Sequence, residues 1–138
     1  GGFVRVIMCN NLLDCYSIKA VKADTMYGLD ILEEAIERAR ENTAAAGQII
    51  HYINRDFFDF KHEYLFDEII TNIPFKIGRK TEEEIENLYE AFFSSAKKVL
   101  KDDGIMILYS HNAGHVRKMA RNLCICPESE TVEAGIGV

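Results

Sequence analysis

Three short segments of the chain carry side chains whose type and spacing suit ligand chemistry. Tyr27-Gly28-Leu29-Asp30 closes an apolar run on an acid. An ionised carboxylate at the tip of a second strand can accept hydrogen bonds from both hydroxyls of a ribose. An Asp in that place equally suits the N-cap of a following helix. Asn54-Arg55-Asp56 follows the next apolar run. Asp56 can accept from the amino group of an adenine ring, or it can serve its own turn, as turn acids commonly do. Thr71-Asn72-Ile73-Pro74-Phe75 is the richest segment. The Asn72 amide oxygen and the Ile73 carbonyl are two acceptors that can hold both hydrogens of a planar amine and orient its nitrogen lone pair. Pro74 fixes φ near about −65° and stiffens the loop. Phe75 offers a face on which a base can stack. Asn and Pro are also ordinary residues at the exit of a strand.

Lys76, Arg79 and Lys80 follow at once. Such a loop can meet substrate phosphates, or it can be a solvated loop balanced by the adjacent Glu82, Glu83 and Glu84. His111, Asn112 and His115 come after the last long apolar run. No Ser or Cys nucleophile pairs with them in a triad, and no set of metal ligands accompanies them, so no metal is expected. Cys9, Cys15, Cys124 and Cys126 fit neither a zinc ribbon nor a redox pair two residues apart. They read as reduced thiols packed as small hydrophobes, and the expected location is cytoplasmic.

The elements that must hold these residues alternate. Strands are expected at Phe3 to Met8, Met26 to Leu29, Ile49 to Ile53, Glu68 to Thr71 and Ile105 to Tyr109, with a last one opening at Leu123 to Cys126. Helices are expected at Leu12 to Val21, from Leu32 to a stop at Gly47, from about Glu82 to Lys101, and from Asn112 to Asn122. The second helix shows its stripe at Leu32, Ala35, Ile36, Ala39, Thr43 and Ala46. The third should open on a capping box, Thr81 with Glu84, and bury Ile85, Leu88, Tyr89, Phe92, Ala96, Val99 and Leu100. Asp102-Asp103-Gly104 is expected to be a turn. Strands alternating with helices predict one α/β domain over residues 1–138, a doubly wound, mostly parallel sheet with helices on both faces. In such a sheet ligands bind outside the carboxyl ends of the strands, which is where all three segments fall.

The composition agrees with a globular domain. Of 138 residues, 48% are hydrophobic and 28% charged, which excludes a disordered tail. No apolar run approaches the ~20 residues of a membrane span, and no signal peptide is visible. The net charge of −6 is the wrong sign for a domain that grips nucleic acid by its own field. The chain opens on Gly1-Gly2 rather than Met, as expected of a processed chain or a piece of a longer one.

Asp30, the helix ending Glu41-Asn42-Thr43-Ala44-Ala45-Ala46-Gly47, Asp56, Asp67 through Phe75 and Lys76-Ile77-Gly78-Arg79 together resemble the class I S-adenosylmethionine-dependent methyltransferases. Within them the chain is most similar to the RNA methylases that carry an N-terminal THUMP domain and methylate guanine N2 in tRNA or rRNA. That group writes the fourth-strand motif Asn-Pro-Pro-Tyr/Phe-Gly with an Arg close behind, and follows it with a helix rich in Leu and Tyr, here Leu88-Tyr89 through Leu100. The resemblance spans roughly residues 3 to 125. It implies a Rossmann-like sheet and S-adenosylmethionine as cofactor. It places Cys9, Asn10, Asp30, Ile31, Asp56, Phe57 and Asn72 at the cofactor, Asn72, Pro74 and Phe75 at the reacting base, and Lys76, Arg79 and Lys80 at the RNA.

Three departures set the alternatives. The family's Asp-Pro-x-Cys-Gly-Ser-Gly-Thr turn is Val6-Ile7-Met8-Cys9-Asn10-Asn11-Leu12 here, with the Cys kept and the glycines gone. Glycine allows close backbone approach to a ligand, so its loss points to a non-catalytic domain of the same fold as one alternative. Ile73 replaces the first Pro, and Asn-Ile-Pro-Phe also resembles the motif of rRNA adenine-N6 methyltransferases. Finally, the chain stops near Gly135-Ile136-Gly137-Val138, before the family's last strand, so the RNA grip is expected from a separate domain. A nicotinamide-dependent oxidoreductase would need Gly-x-Gly-x-x-Gly after the first strand, and the sequence has none there.

Overall fold

A computed structural model of the chain describes residues 5–9, 25–73, 75–110 and 112–122. The elements run β1 (Arg5–Cys9), β2 (Thr25–Asp30), α1 (Glu33–Ala45), β3 (His51–Asn54), a short 3-10 turn (Phe57–Asp59), β4 (Phe66–Asn72), α2 (Glu82–Val99), β5 (Leu100–Tyr109) and α3 (Ala113–Asn122). The five strands form one sheet in the order β3-β2-β1-β4-β5, and every pairing is parallel. The order reverses at β1, whose neighbours are β2 and β4, so the crevice that a ligand can enter opens between the carboxyl ends of β1 and β4. The register aligns those ends: Cys9 pairs with both Leu29 and Thr71, Asp30 with Asn54, and Asn72 with Tyr109.

Two cores result, one on each face of the sheet. On one face Leu29, Phe66 and Ile69 pack against Ile85, Tyr89, Phe92, Phe93, Ala96 and Val99 of α2 and Met119 and Ala120 of α3. On the other, Met26 and Ile70 pack with Ile36 and Ala39 of α1. Spacing of three and four along each helix puts these side chains on one stripe. Thr43 is a polar member of the α1 stripe. Its hydroxyl donates to the Ala39 carbonyl at 2.7 Å and lies 2.6 Å from the Tyr52 hydroxyl, so its burial leaves no oxygen unpaired. Gly47, at φ +70°, carries the chain out of α1, where a side chain would be strained.

The structure corrects several local expectations. Thr81 does cap α2, its Oγ1 accepting from the Glu84 N–H at 3.2 Å, but the Glu84 side chain makes no return bond among the described residues, so only half of the capping box forms. Its first turn carries Glu82, Glu83 and Glu84 and its last turn Lys97 and Lys98, each suited to the helix dipole. The helix ends at Val99, and Leu100 and Lys101 already belong to β5. Asp102-Asp103-Gly104 is no turn between elements. It lies inside β5, where the register jumps from Phe66↔Leu100 to Glu68↔Ile105. The extra residues are absorbed as a bulge, a device that keeps a strand continuous while re-aiming it. Gly104 is required there, because a Cβ would come within 2.5 Å of the Leu100 Cγ and 2.9 Å of the Lys101 carbonyl oxygen. Lys101 also binds Asp67 at 2.8 Å and ties the start of β5 to β4. Phe93 and Ser95 join the buried face of α2, and Leu88 is only half-buried. The expected helix Leu12 to Val21 and the strand opening at Leu123 lie outside the described residues.

Candidate active site

The carboxyl edge of the sheet gathers the candidate residues. At the tip of β2, the Asp30 Oδ1 accepts from the Leu32 N–H at 2.8 Å. This bond braces the turn into α1; the N-cap position itself belongs to Leu32, which has no side-chain cap. The other carboxylate oxygen of Asp30 has no hydrogen bond among the described residues. The tip is also tied to β3. Arg55 N–H donates to the Asp30 carbonyl at 2.9 Å, and Asn54 Nδ2 donates to the carbonyls of Asp30 at 3.2 Å and Ile31 at 2.9 Å. Asn54 is a strap that sequence reasoning missed. Its signal was present, an amide at the end of β3 opposite Asp30, but a cross-strand partner is visible only once the register is known.

Beyond the strap, the Asp56 Oδ1 accepts from the Phe58 N–H at 3.0 Å and caps the 3-10 turn. The turn role expected of this acid is therefore real, and it occupies one oxygen. Phe57 points inward, 6% exposed and 5.4 Å from the ring of Phe92, so its side chain serves the core and only its backbone is left for a ligand. Ile31 and Leu32, at 62% and 63% exposed, present apolar side chains beside Asp30. An acid flanked by exposed apolar side chains suits a nucleoside, whose sugar takes hydrogen bonds and whose ring takes apolar contact.

Across the switch point, Thr71 is 1% exposed and its hydroxyl donates to the Asn72 carbonyl at 2.7 Å, fixing the end of β4. Asn72 is half-buried, and its side-chain amide has no hydrogen bond among the described residues. After it, Ile73, Phe75 and Ile77 are half-buried against the core while Lys76, Gly78, Arg79 and Lys80 are exposed. Phe75 meets Tyr89 with ring centres 5.1 Å apart at 88°, and Phe92 at 6.3 Å and 68°. It is supported from below rather than sealed in the core. Gly78, at φ +50°, starts a tight turn closed by Lys80 N–H on the Ile77 carbonyl at 3.1 Å, and Thr81 then caps α2. Lys76, Arg79 and Lys80 form no ion pair among the described residues.

Asn112 Oδ1 accepts from the His115 N–H at 3.1 Å and opens α3, and the His115 ring lies 5.5 Å from Tyr89 at 87°. Burial pushes the Tyr89 hydroxyl above the usual tyrosine range. The structure thus sets Asp30, Ile31, Asp56, Asn72, Phe75, Lys76, Arg79 and Lys80 along one edge, with the backbone end of Cys9 between the two acids' side and the Asn72 side. Asn10, Pro74 and His111 lie outside the described residues. Among the described residues no group of His, Cys, Asp or Glu could hold a metal ion. No described helix is long and apolar enough to cross a membrane.

Comparison with known proteins agrees with this layout. The structure of a S-adenosylmethionine-dependent methyltransferase from Clostridium acetobutylicum matches with a TM-score of 0.62 at 14% identity, over 78% of this chain and 42% of that one. TrmN from Thermus thermophilus matches with a TM-score of 0.67 at 20% identity, over 84% of this chain and 36% of that one. The ribosomal protein L11 methylase from Lactobacillus delbrueckii subsp. bulgaricus matches at 0.63 and 16% identity, over 88% and 60%. The chain spans less than two thirds of each of these proteins, and at these identities the likeness shows the fold. No curated protein matches the sequence. The family model of the RMKL-like methyltransferase domain matches residues 2–134, nearly the whole chain, and with the parallel sheet and its acidic edge this settles the family: the chain belongs to the RMKL-like methyltransferase domains, which use S-adenosylmethionine.

Proposed function

We propose that this domain transfers the methyl group of S-adenosylmethionine to the exocyclic amine of a base in tRNA or rRNA, with guanine N2 the favoured target. The observation that carries this reading is the half-buried amide of Asn72 at the tip of β4, across β1 from Asp30 at the tip of β2 and followed by the supported ring of Phe75. The sulfonium of the cofactor already supplies an electrophilic methyl group. What remains for the protein is to align nitrogen, methyl carbon and sulfur and to exclude water. In this assignment Asp30 accepts from the ribose hydroxyls, Ile31 covers the adenine, and Asp56 accepts from its amino group. Cys9, at the end of β1, and Asn10 meet the methionine part. Asn72 and the Ile73 carbonyl hold the target amine, Pro74 stiffens their loop, and Phe75 stacks the base. Lys76, Arg79 and Lys80 meet backbone phosphates.

A fold of this kind also serves protein substrates, as the name of the L11 methylase states, so the fold alone selects no target. The choice of a nucleobase rests on the Asn72-Ile73-Pro74-Phe75 motif and the cationic loop behind it. The net charge of −6 supports a further RNA-binding domain elsewhere in the intact protein, of the THUMP kind. Ile73 in place of the family's Pro supports a second reading, adenine N6 in rRNA.

Calorimetric titration with S-adenosylmethionine, then transfer of labelled methyl to total tRNA and rRNA and mass spectrometry of the nucleosides, tests the proposal. Saturable cofactor binding and N2-methylguanosine are expected. N6-methyladenosine moves the target to adenine. Absence of cofactor binding leaves the non-catalytic reading that the lost glycines favour.

A further inference from the structure

The loop that carries the substrate motif makes few hydrogen bonds among the described residues. Among the described residues from 73 to 80, one main-chain bond closes the turn, Lys80 N–H to the Ile77 carbonyl, and no side-chain hydrogen bond reaches the loop. Apolar contact with the core holds it through Ile73, Phe75 and Ile77, and Phe75 makes the best-defined contact. The Phe75 ring stands perpendicular to Tyr89 at 5.1 Å. Tyr89 is 1% exposed, and its ring is stacked at 6.1 Å on Phe93 inside the core. His115, in the first turn of α3, stands perpendicular to the same ring at 5.5 Å. One buried side chain of α2 thus touches the motif loop and the helix that follows β5. Perpendicular ring pairs at this spacing are attractive and directional, so they fix a ring plane as well as a depth.

We propose that Tyr89 is a positioning residue for Phe75: with His115 beside it, it sets the plane on which the target base stacks. This rests on the methyl-transfer reading for its functional consequence, but the positioning itself can be measured apart from activity. The positioning contacts are made by the Tyr89 ring, which phenylalanine keeps, so phenylalanine at this position should serve as well. Leucine fills much of the same volume without a ring, and so removes the directional contact while keeping the site apolar.

The chain contains no tryptophan, so Phe75→Trp installs a single fluorescent reporter on the loop itself. In the 138-residue chain carrying this reporter, Tyr89→Phe should leave the steady-state anisotropy and the rate of acrylamide quenching unchanged. Tyr89→Leu should lower the anisotropy and raise the quenching rate severalfold, with far-ultraviolet circular dichroism showing the fold kept. If Tyr89→Leu fails to fold, His115→Ala, at a half-buried helix position, takes its place and should move both readouts in the same direction. Anisotropy and quenching left unchanged by the folded variant overturn the proposal. Where methyl transfer is observed, Tyr89→Leu and Phe75→Ala should each lower kcat/KM without changing cofactor affinity, and the loss in the double variant should be about three- to tenfold smaller than additivity requires. Strict additivity overturns the proposal even if the methyl-transfer reading stands. A wild-type chain that transfers no methyl defeats that reading and leaves the fluorescence result to decide the positioning.

Discussion

Asp30 illustrates how one side chain can serve the fold and a ligand together. Its Oδ1 holds the turn into α1 through the Leu32 N–H, and its other oxygen has no hydrogen bond among the described residues. Charge-assisted hydrogen bonds contribute on the order of 1.5–3 kcal/mol each. Asp30→Ala should therefore weaken S-adenosylmethionine binding at least about tenfold by calorimetry, ~1.4 kcal/mol being enough for that. Asp30→Asn keeps an acceptor for Leu32 and should lose cofactor affinity with little loss of melting temperature; an unchanged dissociation constant would remove Asp30 from the site. Asn72 makes the opposite expectation. Its carbonyl accepts from the Thr71 hydroxyl, and its side-chain amide has no hydrogen bond among the described residues, as a substrate-holding amide requires. Asn72→Ala should leave cofactor affinity nearly intact and lower turnover by roughly 100- to 1,000-fold, on the scale of losing one positioned hydrogen bond at a reacting centre. Equal losses in cofactor binding and turnover would place Asn72 at the cofactor instead. The chemistry-bearing residue types at both tips were legible in the sequence, because strand ends in an α/β sheet are where such residues gather. The inward turn of Phe57 was not, since an aromatic side chain suits a core and a ligand pocket alike.

At the scale of elements, α2 and β5 decide how firmly the motif loop is held. Thr81 stands between the Gly78 turn and the first turn of α2, and its hydroxyl satisfies a backbone N–H that would otherwise have no partner. Thr81→Ala should cost about 1 kcal/mol in urea denaturation, within the range of measured N-cap replacements. A larger loss, above about 2 kcal/mol, would mean that the cap also secures the loop. Gly104 sits at the bulge of β5 with no room for a methyl group beside Leu100 and the Lys101 carbonyl. Gly104→Ala should destabilise by about 1–3 kcal/mol, as overpacking does, with an unchanged denaturation midpoint as the result that contradicts it. The described helices were well read from the sequence because their stripe of three and four needs no partner to be recognised. The Asp-Asp-Gly segment misled for a physical reason. Those residues favour turns locally, and parallel pairing to β4 overrode that preference by storing the surplus residues in a bulge.

The whole molecule carries an excess of acid and yet exposes three cations at the edge where the substrate would enter. Overall repulsion and local attraction oppose each other, so the domain by itself should bind RNA weakly and with strong salt dependence. Arg79→Ala should reduce the slope of log affinity against log salt by about 0.7 for a single-stranded site, the share of one phosphate contact. An unchanged slope would make the loop a solvated surface and shift the whole grip to another domain.

By itself, the sequence determined the alternation of strands and helices, the parallel sheet, and the class of S-adenosylmethionine-dependent methyltransferases, since these follow from hydrophobic periodicity and from motifs that are contiguous in the chain. Asp30 and Asn72 could be singled out because each ends an apolar run. The tertiary structure alone decided which residues meet. Asn54 reaches the Asp30 and Ile31 carbonyls across 24 and 23 positions of sequence, and Phe75, Tyr89 and His115 come together from a loop and two helices. Such contacts depend on strand order and register, which the collective burial of both sheet faces selects and which no local stretch of residues encodes.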